Sequence, residues 1–104
     1  MDPQAAEAWS FALTKMESAR QYIEKDEDGP AKTEIAKAVY VGAGALYYLF
    51  GPGEEEQAAH QVAQSFIGGM AAEDLSAAEA YMAARKVLGY LADLSPAEDR
   101  LPPP

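Results

Sequence analysis

Apolar positions recur along this chain with a helical period, and they divide it into four stretches. From Pro3 to about Lys25, Ala5, Trp9, Ala12, Leu13, Met16, Ala19 and Ile23 fall on one side, with Phe11 and Tyr22 roughly opposite. Asp2 is placed to cap this helix, and Pro3 sits where a missing N–H costs nothing. Asp26-Glu27-Asp28-Gly29-Pro30 follows as a solvated turn. A second helix is expected from Pro30 or Ala31 to about Phe50, stopped by Gly51-Pro52-Gly53. The third opens on Glu54, Glu55 and Glu56, whose charges complement the positive end of the helix dipole. Its stripe is Ala59, Val62, Ala63, Phe66, Ile67 and Met70, and Gly68-Gly69 weakens its end. The fourth begins after Ser76, where Ser76 and Glu79 spell a capping box, and carries Ala77, Tyr81, Ala84, Val87, Leu88 and Leu91.

Leu94 and Ser95-Pro96 end the fourth helix. Ser95-Pro96-Ala97-Glu98 repeats the cap signature and predicts a short extra C-terminal turn. Four helices with short links predict an all-α fold, a four-helix antiparallel bundle with short loops, as one domain over residues 1–100. Leu101-Pro102-Pro103-Pro104 is expected to form an extended, flexible proline tail over 101–104.

The second helix breaks the alternation of polar and apolar faces. Thirteen residues from Ala38 to Phe50 carry no charge. That run is shorter than the roughly 20 residues a membrane-crossing helix requires. A strand hairpin folded at Gly42-Ala43-Gly44 is the rival reading, since Val, Tyr and Phe favour strands. The length of the run and the lack of other strand candidates favour helix. Placed at about 100° per residue, Ile35, Val39, Gly42, Leu46, Leu49 and Phe50 gather on one side and form the stripe a bundle needs. Tyr40, Val41, Gly44, Tyr47 and Tyr48 gather on the other, with Thr33 and Lys37 one turn earlier. This second side starts polar and turns aromatic. Tyrosine joins an apolar body to a polar tip and is enriched where surfaces meet partners. Gly44 leaves a notch among the rings, suited to a closely approaching helix or a flat ligand. Phe11 and Tyr22 extend the surface if the first helix lies alongside. The plainer alternative is a bundle rim with the phenol hydroxyls in water.

Composition narrows the classes of function. Eight basic residues against seventeen acidic ones give a formal charge of −9. Direct nucleic-acid binding and anionic membrane surfaces are therefore disfavoured, because both need clustered positive charge. A basic protein partner is compatible with the charge, and so is simple solubility. The chain has no cysteine, which removes disulfides and thiolate chemistry, and its start lacks a secretory pattern. The cytoplasm is the expected compartment.

Candidate chemistry is sparse. His60 is the single histidine, with Glu56 and Gln64 four residues to either side on one edge of the third helix. Glu17 or Glu24 could complete a metal set if they faced inward. The Glu-x-x-His signature of di-iron bundles is not met, however, because the spacing here is Glu-x-x-x-His. The carboxylate pairs Asp26 with Asp28, Glu55 with Glu56 and Glu73 with Asp74 fall at helix ends or turns, where dipole and solvation account for them. No phosphate-binding glycine motif is present, and Arg85-Lys86 is the only adjacent basic pair. No catalytic residue, metal site or cofactor is assigned. The sequence points to a small acidic, non-enzymatic helical protein that acts by protein–protein interaction as an adaptor, regulator or inhibitor. The simplest partner is itself, as a homodimer through the second helix. A small-molecule or metal-binding bundle is one alternative. An acidic inhibitor occupying a nucleic-acid-binding site on a basic partner is another.

Overall fold

Helix termini, set by local chemistry, fix where each element begins and ends. The computed structural model describes residues 2–104. It contains α1 (Pro3–Glu24), α2 (Asp28–Phe50), α3 (Glu54–Ala72), α4 (Ala77–Leu94) and a single 3-10 turn at Ala97–Asp99, with no strand among the described residues. Asp2 caps α1, accepting from the backbone N–H groups of Gln4 at 2.8 Å and Ala5 at 3.0 Å. At α4 both halves of the capping box form. Glu79 N–H donates to Ser76 Oγ at 3.2 Å, and Ser76 N–H donates to Glu79 Oε1 at 3.1 Å. The Ser76 backbone N–H holds the Glu79 carboxyl below its ordinary value of 4.5.

Two boundaries differ from expectation. α2 starts at Asp28 rather than Pro30, so Pro30 falls in the first turn, where the backbone N–H has no intrahelical partner to lose. The Asp28 carboxylate then reaches across and accepts from Ala77 N–H at 3.3 Å, joining the starts of α2 and α4. The second cap signature is not used as a cap. Ser95 Oγ donates to the Ala92 carbonyl and accepts from Leu101 N–H at 2.9 Å. The turn at Ala97–Asp99 is closed instead by Asp99 N–H on the Pro96 carbonyl at 3.0 Å. The last residues, expected to run free, are extended but lie against the bundle. Leu101 is buried, and Trp9 Nε1–H donates to the Pro102 carbonyl at 2.7 Å.

α2 is the central element. It runs unbroken through Gly42-Ala43-Gly44, and the hairpin reading is thereby excluded. It packs most extensively on α1 and also on α3 and α4, whereas α1 and α4 touch each other sparsely. Its buried positions are Ala31, Ile35, Ala38, Val39, Gly42, Ala43, Ala45 and Leu46, about half of its circumference. Trp9, Met16, Leu88, Leu91 and Leu101 complete the centre.

Alanine carries much of the core, at stripe positions and, with Ala80 and Ala92, beyond them. Ala5, Ala12 and Ala19 of α1, Ala59 and Ala63 of α3, and Ala77, Ala80, Ala84 and Ala92 of α4 are all buried. Leu13, Phe66, Tyr81 and Val87 are only partly covered and pack at the margins. Small residues between helices let the axes approach, and the larger side chains then fill the sides. Gly42 is the tightest point. A Cβ there would lie 2.7 Å from Leu88 Cδ2 and 3.3 Å from Trp9 Cζ3. At Gly44, half a turn away, a Cβ would meet nothing within 4 Å.

These two glycines separate packing from helix propensity. Gly44→Ala should raise the unfolding free energy by about 0.5–1 kcal/mol, the helix-propensity gain alone. Gly42→Val should lower it by about 1–3 kcal/mol through overpacking against Trp9 and Leu88. Urea titrations of both variants test this. A Gly42→Val variant as stable as the parent would remove the close approach from the account.

Acid should act on the α4 cap. Because the folded-state pKa of Glu79 is depressed, its contribution is fully present above the ordinary value and is lost as pH falls through the folded one. Glu79→Gln keeps the acceptor and loses the charge. Its denaturation midpoint should therefore fall less than the parent's between about pH 6 and about pH 3.

Candidate functional site

The geometry of α2 leaves one face without a partner. Three helices contact α2, and the molecule is flat, with principal extents of 39 × 24 × 16 Å. The uncovered side carries Tyr40, Tyr47 and Tyr48, exposed by 56%, 46% and 43%. Val41 and Gly44 lie between them and are partly covered. α1 brings Ala8 and Phe11 to one flank, and Phe11 is 47% exposed. α3 brings Glu56 and His60 to the other. Two shallow grooves result. One, of about 330 Å³, is lined by Tyr40, Val41, Gly44, Tyr47, Glu56 and His60. The second, of about 370 Å³, is lined by Gln4, Glu7, Phe11, Val41 and Tyr48. Both include Ala8, Val41 and Tyr48, so they form one continuous surface.

Ring contacts give this surface its texture. Tyr47 and Tyr48 meet edge to face, with centroids 5.8 Å apart and planes at 82°. Tyr40 leans on the His60 ring at 5.9 Å and 53°. His60 Nε2 is 2.9 Å from Glu56 Oε1, one helical turn back. On the α1 side, Lys15 Nζ lies 5.2 Å from the centre of the Phe11 ring and 3.0 Å from Glu34 Oε2 on α2. The notch at Gly44 is open space. The surface therefore offers flat apolar area, phenol hydroxyls that donate and accept, and one carboxylate–imidazole pair. Such a surface suits burial against another molecule.

The residues singled out from sequence separate into two groups. Tyr40, Val41, Gly44, Tyr47, Tyr48 and Phe11 are brought together. Tyr22 is not. It is partly buried beside the turn from α1 to α2, where its carbonyl accepts from Lys25 and Glu27 N–H. The α1 carboxylates weighed as partners for His60 are engaged elsewhere. Arg20 holds Glu17 and Glu24 on the exposed side of α1, and the Arg20 hydrogen bond lowers the Glu17 pKa. Sequence spacing found the Glu56–His60 pair but could not place it beside Tyr40, because that contact joins α3 to α2. Met82 and Tyr90 of α4 are also exposed, at 66% and 50%, and line neither groove.

No known protein family, curated protein or solved structure matches this chain. No helix among the described residues is long and apolar enough to cross a membrane.

Half-exposed tyrosines contribute little to folding. Tyr40→Ala and Tyr48→Ala should each change the unfolding free energy by less than about 1 kcal/mol, against about 2–5 kcal/mol for Leu46→Ala in the core. Chemical denaturation of the three variants distinguishes surface rings from structural ones.

Proposed function

We propose that this protein works by binding rather than by catalysis, as a small acidic adaptor, regulator or inhibitor in the cytoplasm. The outer face of α2 is the contact surface, and a second copy of the chain is the partner. The observation that carries this reading is the continuous patch of Phe11, Tyr40, Val41, Gly44, Tyr47 and Tyr48 on a helix whose other sides are covered. Aromatic residues at the centre of a patch supply most of the energy of protein contacts, and a two-fold dimer uses one patch twice. The open notch at Gly44 allows two α2 helices to approach closely, much as Gly42 does on the inner side.

Charge gives the reading a second signature. Two copies with a formal charge of −9 each repel, so salt should strengthen self-association. A basic partner would instead bind more weakly as salt rises.

Tyr47→Asp places a charge in the middle of the patch without touching the core. Sedimentation velocity at rising concentration should show the parent as a dimer and the variant as a monomer with the same helical circular dichroism. A parent that stays monomeric up to about 1 mM would overturn the homodimer, since that threshold corresponds to only about 4 kcal/mol of association.

A further inference from the structure

The outer face of α2 is nearly symmetric about Gly44. Tyr40 stands four residues before it and Tyr48 four residues after it. Val41 and Tyr47 lie three residues to either side. At about 100° per residue, all four fall within about 60° of the Gly44 direction, two on each side of it. The centre itself is empty, because a Cβ at Gly44 would meet nothing within 4 Å. In either direction along the helix, the face therefore offers a ring, a second apolar group, a gap, another apolar group and another ring.

Charge breaks this symmetry. Lys37 lies seven residues before Gly44. That spacing puts it about 20° from Gly44 around the helix, on the same face. It is exposed, and among the described residues no carboxylate pairs with it, whereas Lys15 is held by Glu34 and Lys32 lies near Asp74. Gly51 lies seven residues after Gly44 and ends α2, and Glu54, Glu55 and Glu56 open α3 just beyond it. Glu54 and Glu55 are exposed, and Glu56 lines the groove beside Gly44. One end of the face thus carries a cation and the other end carries acids.

Two copies of α2 meeting at Gly44 under two-fold symmetry can run in the same or in opposite directions. In the parallel arrangement each residue faces its own copy. Lys37 then meets Lys37, acids meet acids, and the helix dipoles align. In the antiparallel arrangement Tyr40 meets the partner's Tyr48, and Val41 meets the partner's Tyr47. Each Lys37 moves over the partner's Gly51, toward the acids that open the next helix, and the dipoles oppose. Between two chains of formal charge −9, juxtaposed like charges are costly, and two cation–acid contacts offset part of the repulsion.

We propose that two copies of this chain pair antiparallel across Gly44, with Lys37 of each set against the acidic start of the other's α3. This inference rests on the homodimer reading and adds to it a direction, an axis and a contact outside the tyrosine patch. The glycine lets the two backbones approach, the rings of Tyr40 and Tyr48 close the gap on both sides, and Lys37 selects the direction.

The chain has no cysteine, so single introduced cysteines report proximity without background. Sedimentation velocity of the parent first tests the homodimer. Oxidation of Tyr40→Cys mixed with Tyr48→Cys should then give a covalent dimer, and either variant alone should give at least about tenfold less, because a disulfide forms only between close partners. The parallel arrangement predicts the reverse. Lys37→Glu should weaken association at least about tenfold more than Lys86→Glu, which makes the same change in net charge on the exposed side of α4. This second comparison keeps every tyrosine and decides the direction where a cysteine variant pairs too weakly to crosslink. A parent that stays monomeric overturns the homodimer and this orientation together. A parent that dimerises, but is weakened equally by Lys37→Glu and Lys86→Glu, keeps the homodimer and overturns the antiparallel pairing. Cysteine variants that each crosslink to themselves as well as the mixture does overturn it in the same way.

Discussion

The close approach of α1 and α4 to α2 at Gly42 is the contact on which the rest of the structure depends. The absent side chain lets Trp9 and Leu88 lie directly against the α2 backbone. With those two large residues seated, flanking positions need little volume, and alanine occupies them at Ala12, Ala38, Ala43, Ala45 and Ala84. Alanine at buried helical sites also loses no side-chain entropy. A core of this kind gains its stability from close backbone packing rather than from many large side chains. Each large residue it does contain is therefore critical.

That packing has a consequence for the surface. α2 is surrounded on three sides only, because four helices with 18 to 23 residues each make a flat body rather than a closed square. The inner half of α2 is sealed, and the outer half keeps its tyrosines half in water. The same rotation that puts Gly42 against Trp9 and Leu88 puts Gly44 in open space. Core and candidate interface are thus two sides of one helix, fixed by a single angular phase. Trp9 carries a similar double duty. Its ring is held by α2, and that hold aims the indole N–H at the Pro102 carbonyl.

Electrostatics shape the periphery more than the stability. Arg20 is shared by Glu17 and Glu24, Lys15 pairs with Glu34, and Lys32 sits 3.8 Å from Asp74. Pairs near the surface contribute little each, and several acidic residues have no counter-charge to match, given seventeen acids and eight bases. The excess sets how the molecule meets others. It favours basic partners and opposes self-association at low salt.

Sequence by itself determined what depends on neighbours along the chain. Helical period, the Asp2 cap, the Ser76–Glu79 box and the Gly51-Pro52-Gly53 stop are local, and each is in place. The phase of α2 was equally legible, since Tyr40, Gly44, Tyr47 and Tyr48 follow from the helical angle alone. Tertiary structure decided whatever depends on distance between elements. It buried alanines that the stripes did not contain, Ala38, Ala43, Ala45, Ala80 and Ala92, because helix separation is a property of pairs. It placed His60 against Tyr40 and left Tyr22 at the turn. It also diverted Ser95 from the cap its sequence spells to the bond that seats Leu101. A serine hydroxyl can serve only a few partners, and burial of a leucine beside it outweighed one local cap.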